Sequence, residues 1–155
     1  MAVPKAVIAM EGSWKGSSKL NLPEDPAVDN VFESGSTLQV ESDPLRAFAR
    51  VAYTWEHDGQ WHQGVLLVCG SEASDTVTGA WADSWHQNSS VLQVAGTGIA
   101  GDRVSLTGAY SVEGYSDWGW RIDLGLAGEV LELRMTNISP EGDEYWAVQA
   151  DYERA

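Results

Sequence analysis

A chain of 155 residues is of single-domain size, enough for one core or one barrel and too short for two ordinary domains. Nine Lys and Arg against 23 Asp and Glu give a formal net charge of -14, which would repel a phosphate backbone or an anionic lipid surface, so neither nucleic acid nor membrane is an expected partner. Hydrophobic residues at 43% describe a chain that folds rather than a disordered one, and Cys69 as the single cysteine excludes an internal disulfide and fits a reducing compartment.

The segment 1–10 carries neither a basic stretch nor a long apolar run, so no signal peptide or transmembrane segment is expected and the expected location is cytoplasmic. From Met10 onward apolar residues recur at every second position, punctuated by Asp58-Gly59, Gly101-Asp102, Ala127-Gly128 and Pro140-Glu141-Gly142. This alternation predicts strands at about 10–20, 35–42, 45–57, 60–69, 75–86, 91–100, 103–112, 118–126, 129–138 and 143–154. Only 23–34, between the first two strands, has room for a short helical turn. A meander of this many strands closes on itself to remove its exposed edges. The expected fold is therefore all-β, a ten-stranded antiparallel up-and-down barrel filling 1–155 as one domain.

Register sharpens the expectation. A two-residue turn at Asp58-Gly59 pairs Trp55 with His62, Tyr53 with Gly64, Val51 with Leu66 and Ala49 with Val68. A turn at Ala127-Gly128 pairs Leu124 with Leu131, Ile122 with Leu133, Trp120 with Met135 and Trp118 with Asn137, and a loop at 139–142 brings Met135 to Trp146. A loop at 71–74 sets Val68 against Val77, Gly64 against Trp81 and His62 against Asp83. In the 91–112 hairpin, a three-residue bulged turn keeps Leu92 and Val94 on the face of Tyr110. On this reading Trp14, Trp55, Trp81, Trp85, Trp118, Trp120 and Trp146 face inward, and Trp61 alone points out. The 21–34 segment and the turns near 58, 88, 115 and 141 share one end, the expected mouth. The opposite end, with Leu124, Leu131, Tyr152, Arg154 and Trp14, reads as plugged by side chains.

Gly12-Ser13-Trp14 on the first strand and Arg154 on the last resemble the Gly-x-Trp and terminal Arg pairing of the calycins, the superfamily of lipocalins and fatty-acid-binding proteins. That resemblance implies that Arg154 packs across Trp14 and closes the barrel base. The runs Trp81-Ala82-Asp83-Ser84-Trp85-His86 and Trp118-Gly119-Trp120-Arg121 and the ending Tyr152-Glu153-Arg154 also look like a calycin-like bacterial family catalogued as a domain of unknown function, which implies fold and not chemistry. Haem-binding barrels of the nitrobindin kind are similar in strand count but use a His near the C-terminus. This chain has no His after His86, and no cofactor is expected.

A ten-stranded barrel is wide enough to leave a cavity. Its expected wall near the mouth is Tyr53, Trp55, His62, Trp81, Asp83, Trp85, Tyr110, Trp118, Trp120, Asn137 and Trp146, which suits a flat, mostly apolar guest. The alternative is that the indoles fill the barrel and leave no ligand-sized space. His62 beside Asp83 is the sharpest polar pair: a general base with its orienting partner, or a buried, mutually satisfied couple. No serine, including Ser13, Ser84, Ser89 and Ser90, sits in a nucleophile-elbow context. His57 and His62 read as opposite in parity on paired strands and His86 flanks Trp85, so no metal site is expected.

On the outer face Phe48, Ala52, Val65, Leu67 and Cys69 come together, as either a homodimer contact through Phe48, Val65 and Leu67 or a modest monomer patch. Three functions follow from these features. The chain is a carrier or sensor of a small hydrophobic or aromatic ligand, a cofactor-free isomerase, cyclase or hydrolase using His62 and Asp83, or an interaction protein with a filled barrel.

Overall fold

Period-two patterning builds ten strands, and the computed structural model, which describes residues 1–86 and 90–155, closes them into one barrel. The turn expected near residue 88 and the Ser89 hydroxyl lie outside the described residues. In chain order the elements are α1 (Lys5–Ala9), β1 (Gly12–Asn21), β2 (Val31–Ser42), β3 (Ala49–His57), β4 (Gln60–Ser71), β5 (Thr76–Asp83), β6 (Leu92–Thr97), β7 (Arg103–Tyr110), β8 (Trp118–Ala127), β9 (Val130–Ile138) and β10 (Glu144–Arg154). Neighbours in sequence pair antiparallel, and β1 pairs with β10 to complete the ring. Among the described residues no helix is long and apolar enough to cross a membrane.

The helix lies before the first strand and not between the first two. Five residues are too few to show a period in the sequence, and α1 owes its stability to docking: Val7 and Met10 are fully buried against the barrel base. The 23–34 segment holds instead a turn in which Val28 N–H donates to Asp25 O at 2.9 Å, and β2 already begins at Val31.

The β3–β4 hairpin has the expected register throughout, because Asp58 (φ 50°) and Gly59 (φ 73°) both take the left-handed conformation that a tight two-residue turn demands. In the β8–β9 and β4–β5 connections the turn lies one residue beyond its expected place, which moves each partner by two and so preserves each residue's face. Gly128 (φ 62°) and Glu129 form the β8–β9 turn, so Trp120 meets Asn137 and Ile122 meets Met135. The β4–β5 loop spans 72–75, so Asp83 lies opposite Gly64 and Trp81 opposite Leu66. Between β6 and β7 the loop is five residues, 98–102, yet Ala95 pairs with Thr107 and both Leu92 and Val94 are buried as expected.

A bulge in β10 changes a face. Pairing with β9 shifts between Trp146 and Val148, so Trp146 sits opposite Thr136 and off the inner face, while Tyr145 takes the inward position opposite Asn137. The inward placement expected for Trp146 is overturned by this extra residue.

At the base, Arg154 pairs with Trp14 and lays its guanidinium 4.3 Å from the indole centroid. Its Nη1 and Nη2 donate to Glu11 O at 2.8 Å and Ala9 O at 3.1 Å, and Trp14 Nε1 donates to Met10 O at 2.8 Å. Arg154 thereby fastens the end of α1 to the last strand. Tyr152, buried above it, shares a 2.7 Å hydrogen bond with Ser36 Oγ, and burial pushes its phenol up to about 12.

Candidate functional site

Toward the mouth the polar centre is Asp83, the last residue of β5 and only 2% exposed. Its Oδ2 accepts from Tyr53 Oη at 2.7 Å and Trp55 Nε1 at 3.3 Å, and its Oδ1 accepts from the backbone N–H groups of Trp85 at 2.8 Å and His86 at 3.0 Å. The second pair explains why β5 stops there: the side chain takes the amides that a further strand would need. Tyr53 Oη in turn accepts from Trp81 Nε1 at 2.9 Å. Its phenol is held well above its ordinary value, first by burial and then by the Asp83 charge. Gly64 makes this possible, since a Cβ there would stand 2.1 Å from the Tyr53 ring and hydroxyl.

His62 does not pair with Asp83. The two-residue shift of the β4–β5 register carries Asp83 past it, and His62 Nδ1 shares a 3.1 Å hydrogen bond with Ser84 Oγ, its ring lying 4.8 Å from Trp55. The base and orienting carboxylate expected from sequence are therefore absent as a couple. The parity assigned to His57 is also corrected, for the register puts it on the same face as Trp55 and His62. Even so, His57 packs on Phe32 and Trp85, and among the described residues no group of three or more His, Cys, Asp and Glu is placed to hold a metal ion.

His86 is the residue that the sequence reading missed. It turns inward after β5 and sits among four indoles: Trp85 at 4.8 Å, Trp120 at 5.2 Å, Trp55 at 5.5 Å and Trp81 at 6.0 Å between ring centroids. Trp81 and Trp120 stack at 5.2 Å with an 11° interplanar angle. Burial pulls the imidazole down to about 4, against the opposing pull of Asp83 and with a small further push from His62. Its Nε2 and the neighbouring Trp120 Nε1 are both buried without a hydrogen-bond partner. Each such atom costs about 1–3 kcal/mol.

Among the described residues the space beside this cluster is closely packed. The void enclosed between His86, Tyr53, Leu133, Met135 and Val148 measures about 10 Å³, room for one water at most. Tyr53, Trp55, Trp81, Asp83, Trp85 and Trp120 converge in a packed cluster around His86 rather than in the wall of an open chamber.

A larger space lies at the rim. Trp118, Tyr145, Trp146 and Asn137 face the strap 22–30 across a pocket of about 400 Å³, with Leu22, Pro23 and Pro26 on the strap side. Hydrogen bonds fasten the strap: Asp29 accepts from Trp146 Nε1 at 3.2 Å and Asn21 Nδ2 at 3.1 Å, and Asn21 Oδ1 accepts from Asn30 N–H at 2.9 Å. Tyr110 Oη donates to Asn137 Oδ1 at 2.5 Å, and burial raises its phenol. Tyr145, its ring 6.3 Å from Trp118, had no signal in the sequence because the bulge that turns it inward has none. Trp146 stays with the site as an outer wall.

On the outside of the barrel, Val65 lies opposite Ala52 and Leu67 opposite Arg50, with Phe48 45% and Leu67 44% exposed. A broad depression of about 740 Å³ crosses the same face, lined by small or polar side chains such as Thr37, Ala52, Thr54 and Ala82.

No family model matches this chain, and no curated protein matches it. Among solved structures, the crystal structure of Rv2717c from M. tuberculosis matches with a TM-score of 0.64 over 99% of each chain, at 14% sequence identity. The likeness is one of fold alone.

Proposed function

We propose that this protein is a non-enzymatic carrier or sensor that holds a small, flat, largely apolar molecule at the aromatic mouth of a calycin-like barrel, in the reducing cytoplasm that a lone cysteine suits. A contrast of volumes carries the reading. The interior void is about 10 Å³, whereas the rim pocket, at about 400 Å³, falls within the range of small-molecule sites. Trp118, Tyr145 and Trp146 offer ring faces for stacking, and Asn137 offers an amide that orients a polar edge. The enzymatic alternative loses support because His62 and Asp83 are not partners.

Native mass spectrometry of gently purified protein, with analysis of any small molecule released, tests the reading alongside tryptophan-fluorescence titration of a hydrophobic panel. A stoichiometric aromatic or apolar compound is expected, with binding weakened about tenfold or more by Trp118→Ala. Folded protein that releases nothing and gives no fluorescence change across the panel would count against it.

The outer face supports a second reading, self-association. Ala52, Val65, Leu67, Ala80 and Ala82 form an uncharged strip on a chain of net charge -14, with Leu67 exposed within it and Phe48 exposed beside it. Sedimentation at high micromolar concentration decides: dimers that Leu67→Glu abolishes support the contact, and monomers throughout remove it.

A further inference from the structure

Among the described residues, His86 Nε2 and Trp120 Nε1 are the buried side-chain nitrogens and oxygens left without a partner, and they belong to adjacent rings. Buried polar atoms are nearly always paired, so two orphans side by side mark a place whose polar design is unmet by the chain itself. The imidazole that sits there is also an outsider. Trp55, Trp81 and Trp120 project from β3, β5 and β8, but His86 follows the end of β5 in a turn held by backbone N–H bonds to Asp83 Oδ1. Its ring could leave without breaking any strand ladder.

We propose that the cage of Trp55, Trp81, Trp85 and Trp120 is a second binding seat, for an uncharged planar heteroaromatic ring with an acceptor nitrogen in its plane, and that His86 fills this seat in the free protein. The cage supplies the shape, with indoles stacked or tilted about the imidazole at 28° for Trp55, 38° for Trp81 and 48° for Trp120 and edge-on at 84° for Trp85. Trp120 Nε1 supplies the demand: a buried donor without a partner, on a ring 5.2 Å from the imidazole, which an acceptor nitrogen in a guest ring would satisfy and His86 leaves unmet. The void of about 10 Å³ beside His86 gives slack for a ring slightly larger than imidazole. Because a guest must displace His86, its apparent affinity is reduced by the fraction of molecules in which the seat is empty. The seat is separate from the rim pocket and does not depend on it.

The test compares 1-methylimidazole with N-methylpyrrole, rings of like size with and without the acceptor, on the full chain as wild type and as His86→Ala. Indole N–H resonances assigned to Trp120 and Trp118 are followed, together with Tm. The His86→Ala protein is expected to bind 1-methylimidazole about tenfold tighter than wild type does and about tenfold tighter than it binds N-methylpyrrole, with the Trp120 Nε1–H resonance moving downfield. Trp120→Phe is expected to erase the preference between the rings. Equal binding of both rings, or a Trp120 resonance that stays put in folded His86→Ala, would overturn the proposal.

Should His86→Ala fail to fold, the wild type decides. As 1-methylimidazole, kept neutral by a mildly alkaline buffer, is raised to high millimolar concentration, the His86 ring protons must lose their ring-current shifts as the Trp120 signal moves. Any other course overturns the seat. Movement of Trp118 alone would place the probe at the rim, overturning the interior seat and leaving the rim reading intact.

Discussion

The two ends of this barrel use the same residue types to opposite purposes. At the base one indole, Trp14, is covered by Arg154, its N–H meets Met10 O, and both guanidinium nitrogens that close the base meet carbonyls of the α1 segment. At the mouth four indoles surround an imidazole, two ring nitrogens have no partner, and Trp118 and Trp146 stand half-buried at the edge of a pocket. A fully satisfied cluster is what stability alone selects, whereas unmet polar atoms and half-covered rings are tolerated where something else is to be bound. The difference is what favours the mouth as the place of the proposed binding.

Asp83→Ala breaks that comparison hardest. It removes the acceptor of two side-chain and two backbone donors, and a loss of about 4 kcal/mol in urea unfolding is expected. A loss below about 1 kcal/mol would mean that the mouth does not depend on this carboxyl group.

Next in size is a pH effect confined to the mouth. His86 is held near 4 in the folded protein against 6.5 for a free imidazole, so the unfolded chain takes up a proton that the folded one declines. Its contribution is complete above pH 6.5 and drains away as the pH falls toward 4, on the order of 3 kcal/mol in all. Subtracting the profile of His86→Phe isolates it, and superimposable profiles would sink the assignment.

At the base, Arg154→Met should cost about 2 kcal/mol by thermal unfolding while leaving ligand affinity at the mouth unchanged. Coupling between the two would show that the ends are not independent. The smallest effect on stability is expected for Trp118→Ala, about 1 kcal/mol or less by urea unfolding, set against its roughly tenfold weakening of binding.

Much of the architecture was legible because face parity survives errors of two residues. The β8–β9 and β4–β5 turns each fall one position beyond where their Gly and Ser signals point, which slides the pairing by two, yet Trp120, Ile122, Trp81 and Val77 still face inward. The same errors were fatal to pairwise chemistry: a slide of two removed His62 from Asp83, and the one-residue bulge near Ala147 exchanged Trp146 for Tyr145. His86 escaped notice for another reason. Strand periodicity assigns faces only while the strand lasts, and the Asp83 side chain ends β5 before His86 is reached.

The pairing of β1 with β10, from Trp14 opposite Arg154 to Leu20 opposite Val148, makes the earliest strand on the ribosome wait for the latest. Until residues 144–154 emerge, β1 and β9 each present an open ladder to the crowded cell, an interval in which neighbouring nascent chains compete for the same hydrogen bonds. Afterwards the strands have no first or last member. Running a linker from residue 155 back to residue 1 and cutting instead at the exposed Gly128-Glu129 turn should yield a barrel that shifts this vulnerable seam to a different pair of strands.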